Sequence, residues 1–95
     1  MVTHIVIFTF TPGTTPGQVN AFGAAMSRMA SEVPEVLAIS HGRNLALREG
    51  NGDYALVATF RDPAAWSAYQ AHPLHKAFVR DFVTPIVAGR LAIQF

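Results

Sequence analysis

The sequence predicts an α+β domain in which an antiparallel sheet carries its helices on one face. Three observations lead to this class. The predicted elements follow the order β-α-β-β-α-β, with the second helix broken in two. Right-handed β-α-β crossovers place both helices on the same side of a sheet. The first strand is apolar on both faces, so the side of the sheet without helices is also expected to be covered.

The first strand is predicted from Val2 to Phe10, because this run is rich in β-branched and aromatic residues and ends at a Thr-Pro-Gly turn signal. Alternate residues of a strand share a face. One face therefore carries His4, Val6, Phe8 and Phe10, and the other carries Thr3, Ile5, Ile7 and Thr9. Neither of these faces has the composition of a surface exposed to water.

The first helix begins at Thr15-Pro16-Gly17-Gln18, where a capping hydroxyl, a proline at the first helical position and a glutamine three residues after the cap follow one another. Pro34 ends it. Apolar residues at gaps of three and four predict a stripe that packs on the sheet, formed by Val19, Phe22, Met26, Met29 and Val33.

Two further strands are predicted after this helix. The first runs from Val36 to Arg43 and the second from Tyr54 to Phe60, with the glycine-containing segment Asn44 to Asp53 as the connection between them. Asp62-Pro63 then combines a cap with a proline at the first helical position, which predicts the start of the second helix.

The segment Tyr69 to His75 brings together one phenol, two imidazoles and a helix breaker. His72 precedes Pro73, which disfavours the α region at His72, so the helix is expected to break there and restart at Pro73. In an unbroken helix Tyr69 and His75 would point about 240° apart, whereas a break allows them to converge. Apolar residues at helical spacing after His75 predict that its ring is buried or half-buried.

Thr84-Pro85 and Gly89 are expected to end the last helical segment, and Leu91 to Phe95 to form a short final strand. The complete order fits a ferredoxin-like sheet with helices on one face. The other face would expose Ile5, Ile7 and Val57, and leaving it in water would forgo several kcal/mol of burial at about 25 cal/mol per Å². A homodimer in which two sheets pack face to face into an α/β barrel is therefore predicted.

Composition limits the possible functions. Ninety-five residues are expected to form one domain, residues 1–95. Hydrophobic residues make up 51% and charged residues 14%, which is apolar for a small monomer and favours a partner. A net charge of +1 with scattered cations disfavours nucleic acid and anionic membranes as partners. The absence of cysteine excludes disulfides and thiolate catalysis, and a cytoplasmic location is expected because no leader or spanning segment is recognisable.

These features together resemble the stress-responsive A/B barrel (Dabb) family within the dimeric α/β barrel superfamily, over essentially the whole chain. The most specific part is His-Pro-x-His combined with a histidine on the first strand. The similar motifs are His4-Ile-Val-Ile-Phe-Thr-Phe, Gly42-Arg43-Asn44, the strand from Tyr54 to Phe60, Ala71-His72-Pro73-Leu74-His75 with Phe78, and Pro85 before a terminal strand that ends in an aromatic residue.

The resemblance implies a stress-associated protein of undetermined activity, because many members of the family have no assigned chemistry. It also implies a possible cofactor-free enzyme, since one plant member is a cyclase that closes a linear tetraketide by aldol condensation. Residues matching that cyclase stand at His4, Tyr69, His72 and His75. The sequence departs from it at Tyr54, where the cyclase pattern has a histidine, and at Met26, where it has a tyrosine.

Enolisation of a carbonyl compound needs a base and a donor that holds the resulting oxyanion. His75 suits the base, because an ordinary imidazole exchanges protons near neutrality. Tyr69 suits the donor or could orient His75, and His4 could hydrogen-bond the substrate. An apolar carbonyl or aromatic ligand is expected, without metal or cofactor. The predicted substrate-binding wall consists of Phe8, Phe22, Met26, Tyr54, Leu56, Phe78, Phe82 and Ile93.

Other interpretations of the same residues remain open. His72 is expected to cap the helix that follows it, and His41, at a strand end, to be solvated or at an interface. His4 and His75 could form a satisfied core network instead of a site. Three functions follow: a cofactor-free cyclase or lyase, a non-catalytic stress or ligand-binding dimer, and a monooxygenase of the dimeric α/β barrel type. A cavity beside His75 and Tyr69 would favour the first, a filled core the second, and haem binding the third.

Overall fold

Four antiparallel strands form the sheet, in the order β2-β3-β1-β4. In the computed structural model, which describes residues 1–95, the strands are β1 (Val2–Phe10), β2 (Ala38–Arg43), β3 (Tyr54–Phe60) and β4 (Val87–Gln94). The helices are α1 (Pro16–Glu32), α2 (Pro63–Ala71) and α3 (Pro73–Phe78), and α3 continues into one π-helical turn, Val79–Val83. The predicted ferredoxin-like α+β class is confirmed. None of the helices has the length and apolar character needed to cross a bilayer.

The two faces of the sheet differ as the alternation in β1 predicts. His4, Val6 and Phe8 are buried on the inner face, which packs against the helices. Ile5 of β1 lies on the outer face, opposite Val57 of β3 and Ile93 of β4. No helix covers this face, and only the loop at Gly52 reaches it, beside Ile7, so Leu91 is 73% exposed and Ile93 is 58% exposed. The outer face is therefore a continuous apolar surface.

Helix α1 begins as predicted, with a reciprocal capping box at its first residues. The Thr15 hydroxyl accepts a hydrogen bond from the Gln18 backbone N–H at 3.1 Å, and the Gln18 side chain accepts one from the Thr15 N–H at 2.8 Å. These bonds satisfy two of the backbone donors that a helix start leaves free. The apolar stripe then buries Phe22 and Met26 completely against the sheet.

The predicted helix break at His72 is also confirmed. Helix α2 ends at Ala71, and His72 has an extended backbone with φ −64° and ψ 134°. Its Nδ1 accepts a hydrogen bond from the Leu74 N–H at 3.1 Å, so the imidazole caps α3, whose first residue is Pro73. The chain thus changes direction between Tyr69 and His75.

Two predicted strand boundaries are wrong. Strand β2 begins at Ala38 instead of Val36, because the Val36 N–H is used in a turn with the Val33 carbonyl. Strand β4 begins at Val87 instead of Leu91, and Gly89 lies inside it, opposite Thr9. The pairing shifts register between Thr9 and Phe10, and a glycine inside a strand commonly accompanies such an irregularity. The long central strand β1 provides partners for the additional residues.

Candidate functional site

A cavity of about 510 Å³ lies between the inner face of the sheet and the segment formed by α3 and the π-helical turn. Half of its lining is apolar. The apolar residues are Val6, Phe8, Leu56, Tyr69, Phe78, Val79 and Val83, and the polar ones are His4, Gln70, His75, Lys76, Arg80, Thr84 and Arg90. The volume falls within the range of pockets that bind small organic ligands.

Tyr69 and His75 lie side by side on this cavity, because the break at His72 turns α3 back toward the end of α2. Their ring centroids are 4.3 Å apart with an interplanar angle of 56°. Tyr69 is 2% exposed, and His75 is half-buried as predicted. A phenol and an imidazole that are far apart in a continuous helix are thus brought into contact.

Burial changes the acidity of both groups. It raises the pKa of Tyr69 to about 12, against the opposing effect of the positive charge of Arg90. Burial lowers the pKa of His75, and the charges of Arg90 and His72 act in the same direction, while a backbone hydrogen bond of Gln70 opposes them. At neutral pH the phenol therefore keeps its proton and the imidazole is uncharged, which suits a hydrogen-bond donor beside a base.

His4 reaches the same cavity from β1. Its ring packs edge-on against Tyr69 at 6.3 Å and against Trp66 at 5.9 Å between centroids. The amide nitrogen of Gln94, its neighbour on β4, donates to Nδ1 at 2.9 Å. Since an amide nitrogen only donates, Nδ1 accepts and the neutral ring carries its proton on Nε2. Burial lowers the pKa of His4, as do the charges of Arg90 and His75, so His4 is a neutral donor.

Arg90 and Gln94 are functional candidates that the sequence prediction did not contain. Both lie on β4 and alternate onto the same face as His4. With the strand predicted to begin at Leu91, Arg90 fell outside it and had no assigned face. Alternation from Ile93, which was predicted to line the cavity, would have put Arg90 on the outer face, whereas the pairing of Arg90 with Phe8 puts it on the inner face.

The predicted substrate-binding wall is divided by the structure. Phe8, Leu56 and Phe78 line the cavity. Phe22 and Met26 are packed in the core, and Phe82 lines a smaller cleft of about 160 Å³ between α1 and α3. Ile93 lies on the outer face opposite Ile5. Tyr54 does not line the cavity, and its hydroxyl contacts His41 instead.

A second histidine cluster, formed by Ser27, His41 and Tyr54, joins α1 to the sheet. Nδ1 of His41 is 2.6 Å from the Tyr54 hydroxyl, and Nε2 is 2.7 Å from the Ser27 hydroxyl. Gly23 allows this arrangement, because a Cβ there would lie 2.7 Å from the Tyr54 oxygen. Burial lowers the pKa of His41 and raises that of Tyr54. Both ring nitrogens are occupied, so this cluster, called the His41 clamp below, connects elements within the fold.

No group of three or more histidine and carboxylate side chains is arranged to hold a metal ion. His72 caps α3, because its Nδ1 accepts a hydrogen bond from a backbone N–H. The side chains that the structure brings together around the cavity are therefore His4, Tyr69 and His75, with Arg90 beside them.

The chain matches a known protein family. The model of the stress responsive A/B barrel domain matches residues 2–95. The protein belongs to the stress responsive A/B barrel (Dabb) family. No curated protein matches the sequence of this Dabb chain.

Solved structures resemble the Dabb chain over its whole length. A dimeric ferredoxin-like protein of unknown function from Thermobifida fusca is 35% identical, with a TM-score of 0.91 and coverage of 99% of this chain and 88% of that one. A Dabb family protein from Mesorhizobium loti is 26% identical, with a TM-score of 0.84 and coverage of 99% and 93%. A hydroxynitrile lyase from Passiflora edulis is 19% identical, with a TM-score of 0.87 and coverage of 99% and 90%, and shares the fold.

Proposed function

We propose that this Dabb protein is a cofactor-free enzyme that removes a proton from the carbon next to a carbonyl group. One observation carries the proposal. A neutral imidazole, His75, and a phenol that stays protonated, Tyr69, lie 4.3 Å apart between ring centroids on one cavity. Base and oxyanion donor are the two groups that enolisation requires.

In the proposed step His75 accepts the proton from the α carbon, the electron pair of the C–H bond forms a carbon–carbon double bond, and the π pair of the carbonyl group moves to its oxygen. The hydroxyl of Tyr69 and the Nε2–H of His4 donate hydrogen bonds to the oxygen as it becomes negative. Imidazolium and enolate then form a neutral pair on the cavity. The enolate carbon can attack a second carbonyl of the same molecule, which closes a ring, and His75 returns its proton to the new alkoxide.

The lining supports an apolar substrate. Seven of the fourteen lining residues are hydrophobic, and Phe8, Leu56 and Phe78 form an aromatic and aliphatic wall. A cavity of about 510 Å³ has room for a molecule with a ring or a folded chain of several carbonyl groups. A polyketide-like or aryl carbonyl compound is the class that we propose.

Two other functions use the same architecture. A ligand-binding dimer would use the cavity without turnover, and a monooxygenase would act on an electron-rich aromatic compound with dioxygen. The base and donor on the cavity favour enolisation over both. Haem titration tests the monooxygenase, because a new Soret band would support a haem-dependent activity. A cytoplasmic location and the absence of a cofactor stay predictions.

Enolisation is tested by the exchange of α hydrogens for deuterium from the solvent. Proton NMR monitors this exchange for 4-phenylbutan-2-one and for a panel of aryl β-diketones. The wild-type protein should accelerate exchange next to the carbonyl. His75→Ala should reduce this rate about 10²- to 10⁴-fold, the usual range for loss of a general base. His41→Gln is the matched control and should keep the rate, because His41 lies outside the cavity. No acceleration by the wild type on any probe, or equal rates in His75→Ala, would refute the proposal.

We also propose that the protein is a homodimer that pairs the outer faces of two sheets. The support is the exposed apolar surface around Leu91 and Ile93, together with the Thermobifida fusca protein, 35% identical, which is described as dimeric. Burying such a surface contributes about 25 cal/mol per Å². An identical copy offers the same apolar pattern and hence a complementary face.

Sedimentation velocity at micromolar concentration tests the dimer. The wild type should sediment as a dimer, and Ile93→Asp should shift it to a monomer, because a charged group would be buried at the interface. Glu32→Ala, an exposed residue of α1 on the helix side of the sheet, is the control and should leave the dimer unchanged. A wild-type monomer under these conditions would contradict the proposed dimer.

A further inference from the structure

The charge of the cavity points to a feature of the ligand that the apolar wall does not specify. Three cations line the cavity, namely Lys76, Arg80 and Arg90, and no aspartate or glutamate does. The whole chain is nearly balanced, with seven lysines and arginines against six acids. The lining of this cavity is therefore more positive than the chain as a whole, and Arg90 also borders a cleft beside Arg43 on the other side of the strand.

The three cations are not equivalent. Arg80 is neutralised by Asp81, with nitrogen to oxygen distances of 2.8 and 3.0 Å. Lys76 lies on α3 and, like Arg80 and Arg90, is exposed to solvent. Arg90 stands on a strand, on the inner face of the sheet opposite Phe8, and forms no ion pair, since the ion pairs of the chain are Arg61 with Asp62 and Arg80 with Asp81.

Arg90 also affects the proposed reaction groups directly. Its positive charge contributes to lowering the pKa of both His4 and His75 and opposes the rise in the pKa of Tyr69. Lys76 has no such effect on any of the three. The guanidinium therefore lies within electrostatic reach of all of them and carries a charge that the protein itself does not balance.

We infer that the ligand carries a carboxylate and that Arg90 binds it, while the apolar wall holds the carbon skeleton. This inference rests on the proposed function for the carbonyl that meets Tyr69 and His75, and it adds the acid group. A guanidinium matches a planar carboxylate with two parallel N–H···O bonds, and such charge-assisted bonds are among the strongest. The proposed substrate is therefore an apolar oxo-acid. Its carboxylate lies beside Arg90 on β4, and its ketone lies beside Tyr69 and His75 on the helices.

A pair of matched probes tests the inference by isothermal titration calorimetry at pH 8 and low salt. The probes are 4-oxo-4-phenylbutanoate and its carboxamide, which differ in charge and have nearly the same shape. Wild-type protein should bind the acid at least about tenfold more tightly than the amide, the effect of one charge-assisted hydrogen bond. Arg90→Gln should bring the ratio of the two dissociation constants to about one, with amide binding unchanged, and Arg90→Lys should restore part of it.

Arg61→Gln is the matched control, because Arg61 is an exposed arginine outside the cavity, and it should keep the full preference. An equal affinity of wild type for acid and amide would overturn the inference, and so would a preference that survives in Arg90→Gln or disappears in Lys76→Gln alone. Phenyl phosphate is the third probe. Arg90-dependent binding of this phosphate tighter than that of the carboxylate would replace the carboxylate class.

His75→Ala separates the two proposals, since calorimetry requires no turnover. A variant that loses deuterium exchange but keeps the Arg90-dependent preference supports both proposals. If wild-type exchange is absent and the preference is present, enolisation fails and carboxylate binding stands. The converse result removes Arg90 from ligand recognition and leaves the base assignment intact.

Discussion

The molecule contains two places where a histidine meets a tyrosine, and their surroundings differ. In the His41 clamp both ring nitrogens are engaged, by the Ser27 hydroxyl at 2.7 Å and the Tyr54 hydroxyl at 2.6 Å. In the cavity the rings of Tyr69 and His75 are in contact at 4.3 Å between centroids, and neither side chain is hydrogen-bonded to another side chain. The first pair joins a helix to a sheet, and the second borders an open volume of about 510 Å³.

Acidity alone does not distinguish the two pairs. Burial lowers the histidine pKa and raises the tyrosine pKa in both places. The distinction lies in hydrogen bonds between side chains. Such bonds close the His41 clamp, whereas beside the cavity the Tyr69 hydroxyl has no side-chain partner and His75 has only a backbone hydrogen bond with Gln70, so the pair keeps hydrogen-bonding capacity for a ligand.

Removing one hydroxyl from each pair should have the largest contrasting effects. Tyr69→Phe should reduce the deuterium-exchange rate about 10²-fold or more, because the oxyanion loses a donor. Tyr54→Phe should leave the rate unchanged and lower the free energy of unfolding by about 1 kcal/mol, since His41 loses a partner. The measurements are NMR exchange and urea denaturation. A Tyr54→Phe variant with slower exchange and normal stability would show that the two pairs do not have separate roles.

A smaller effect is expected from adding a methyl group at Gly23, where α1 approaches the His41 clamp. Gly23→Ala would place a Cβ 2.7 Å from the Tyr54 hydroxyl oxygen, so the ring or the helix must move. Overpacking of this kind costs about 1–3 kcal/mol, and the better helix propensity of alanine offsets about 1 kcal/mol of it. We expect a net loss of about 1 kcal/mol in urea denaturation.

Gly17→Ala is the control on the same helix, because the nearest atom to its Cβ would be the Thr15 hydroxyl oxygen at 3.8 Å. This variant should be neutral or slightly more stable. A Gly23→Ala protein as stable as Gly17→Ala would mean that the clamp adjusts without cost, and the fit between α1 and Tyr54 would then not be a constraint.

The pH dependence is the smallest of the expected effects and separates function from stability. Because the pKa of His75 lies below 6.5 in the folded protein, the exchange rate should rise with pH, reach half of its plateau below pH 6.5 and stay constant to pH 8. A midpoint above pH 6.5 would contradict the assignment of His75 as the base. The profile is measured by NMR at constant ionic strength.

Stability should depend on pH in the same direction. His4, His41 and His75 all have a lower pKa in the folded chain than the ordinary value of 6.5, so the unfolded chain binds more protons below that pH. The contribution of these neutral histidines to the free energy of unfolding is therefore fully present above pH 6.5. It is lost as the pH falls through 6.5 toward the pKa values of the folded state. His41→Gln should flatten this dependence in urea titrations without moving the midpoint of the exchange rate.

Much of the fold follows from local patterns in the chain. The two faces of β1, the capping box at Thr15 and the break at His72 depend on alternation, side-chain caps and the steric effect of Pro73, which act over a few residues. The break also predicted that Tyr69 and His75 converge. The extent of β4 was not predicted, because strand pairing with a nine-residue partner overrides the turn signal at Gly89.

The sequence by itself determined which side chains share a face and where the chain turns, since both are properties of neighbouring residues. Only the tertiary structure decided which of those side chains border empty space. Phe22 of α1 and Phe8 of β1 were both predicted to line the substrate-binding wall, yet Phe22 fills the core and Phe8 lines the cavity. Arg90 lines the same cavity as Tyr69 and His75 because of the register of β4 on β1, and a cavity is the volume left after all elements have packed. Neither register nor residual volume is encoded in a local pattern.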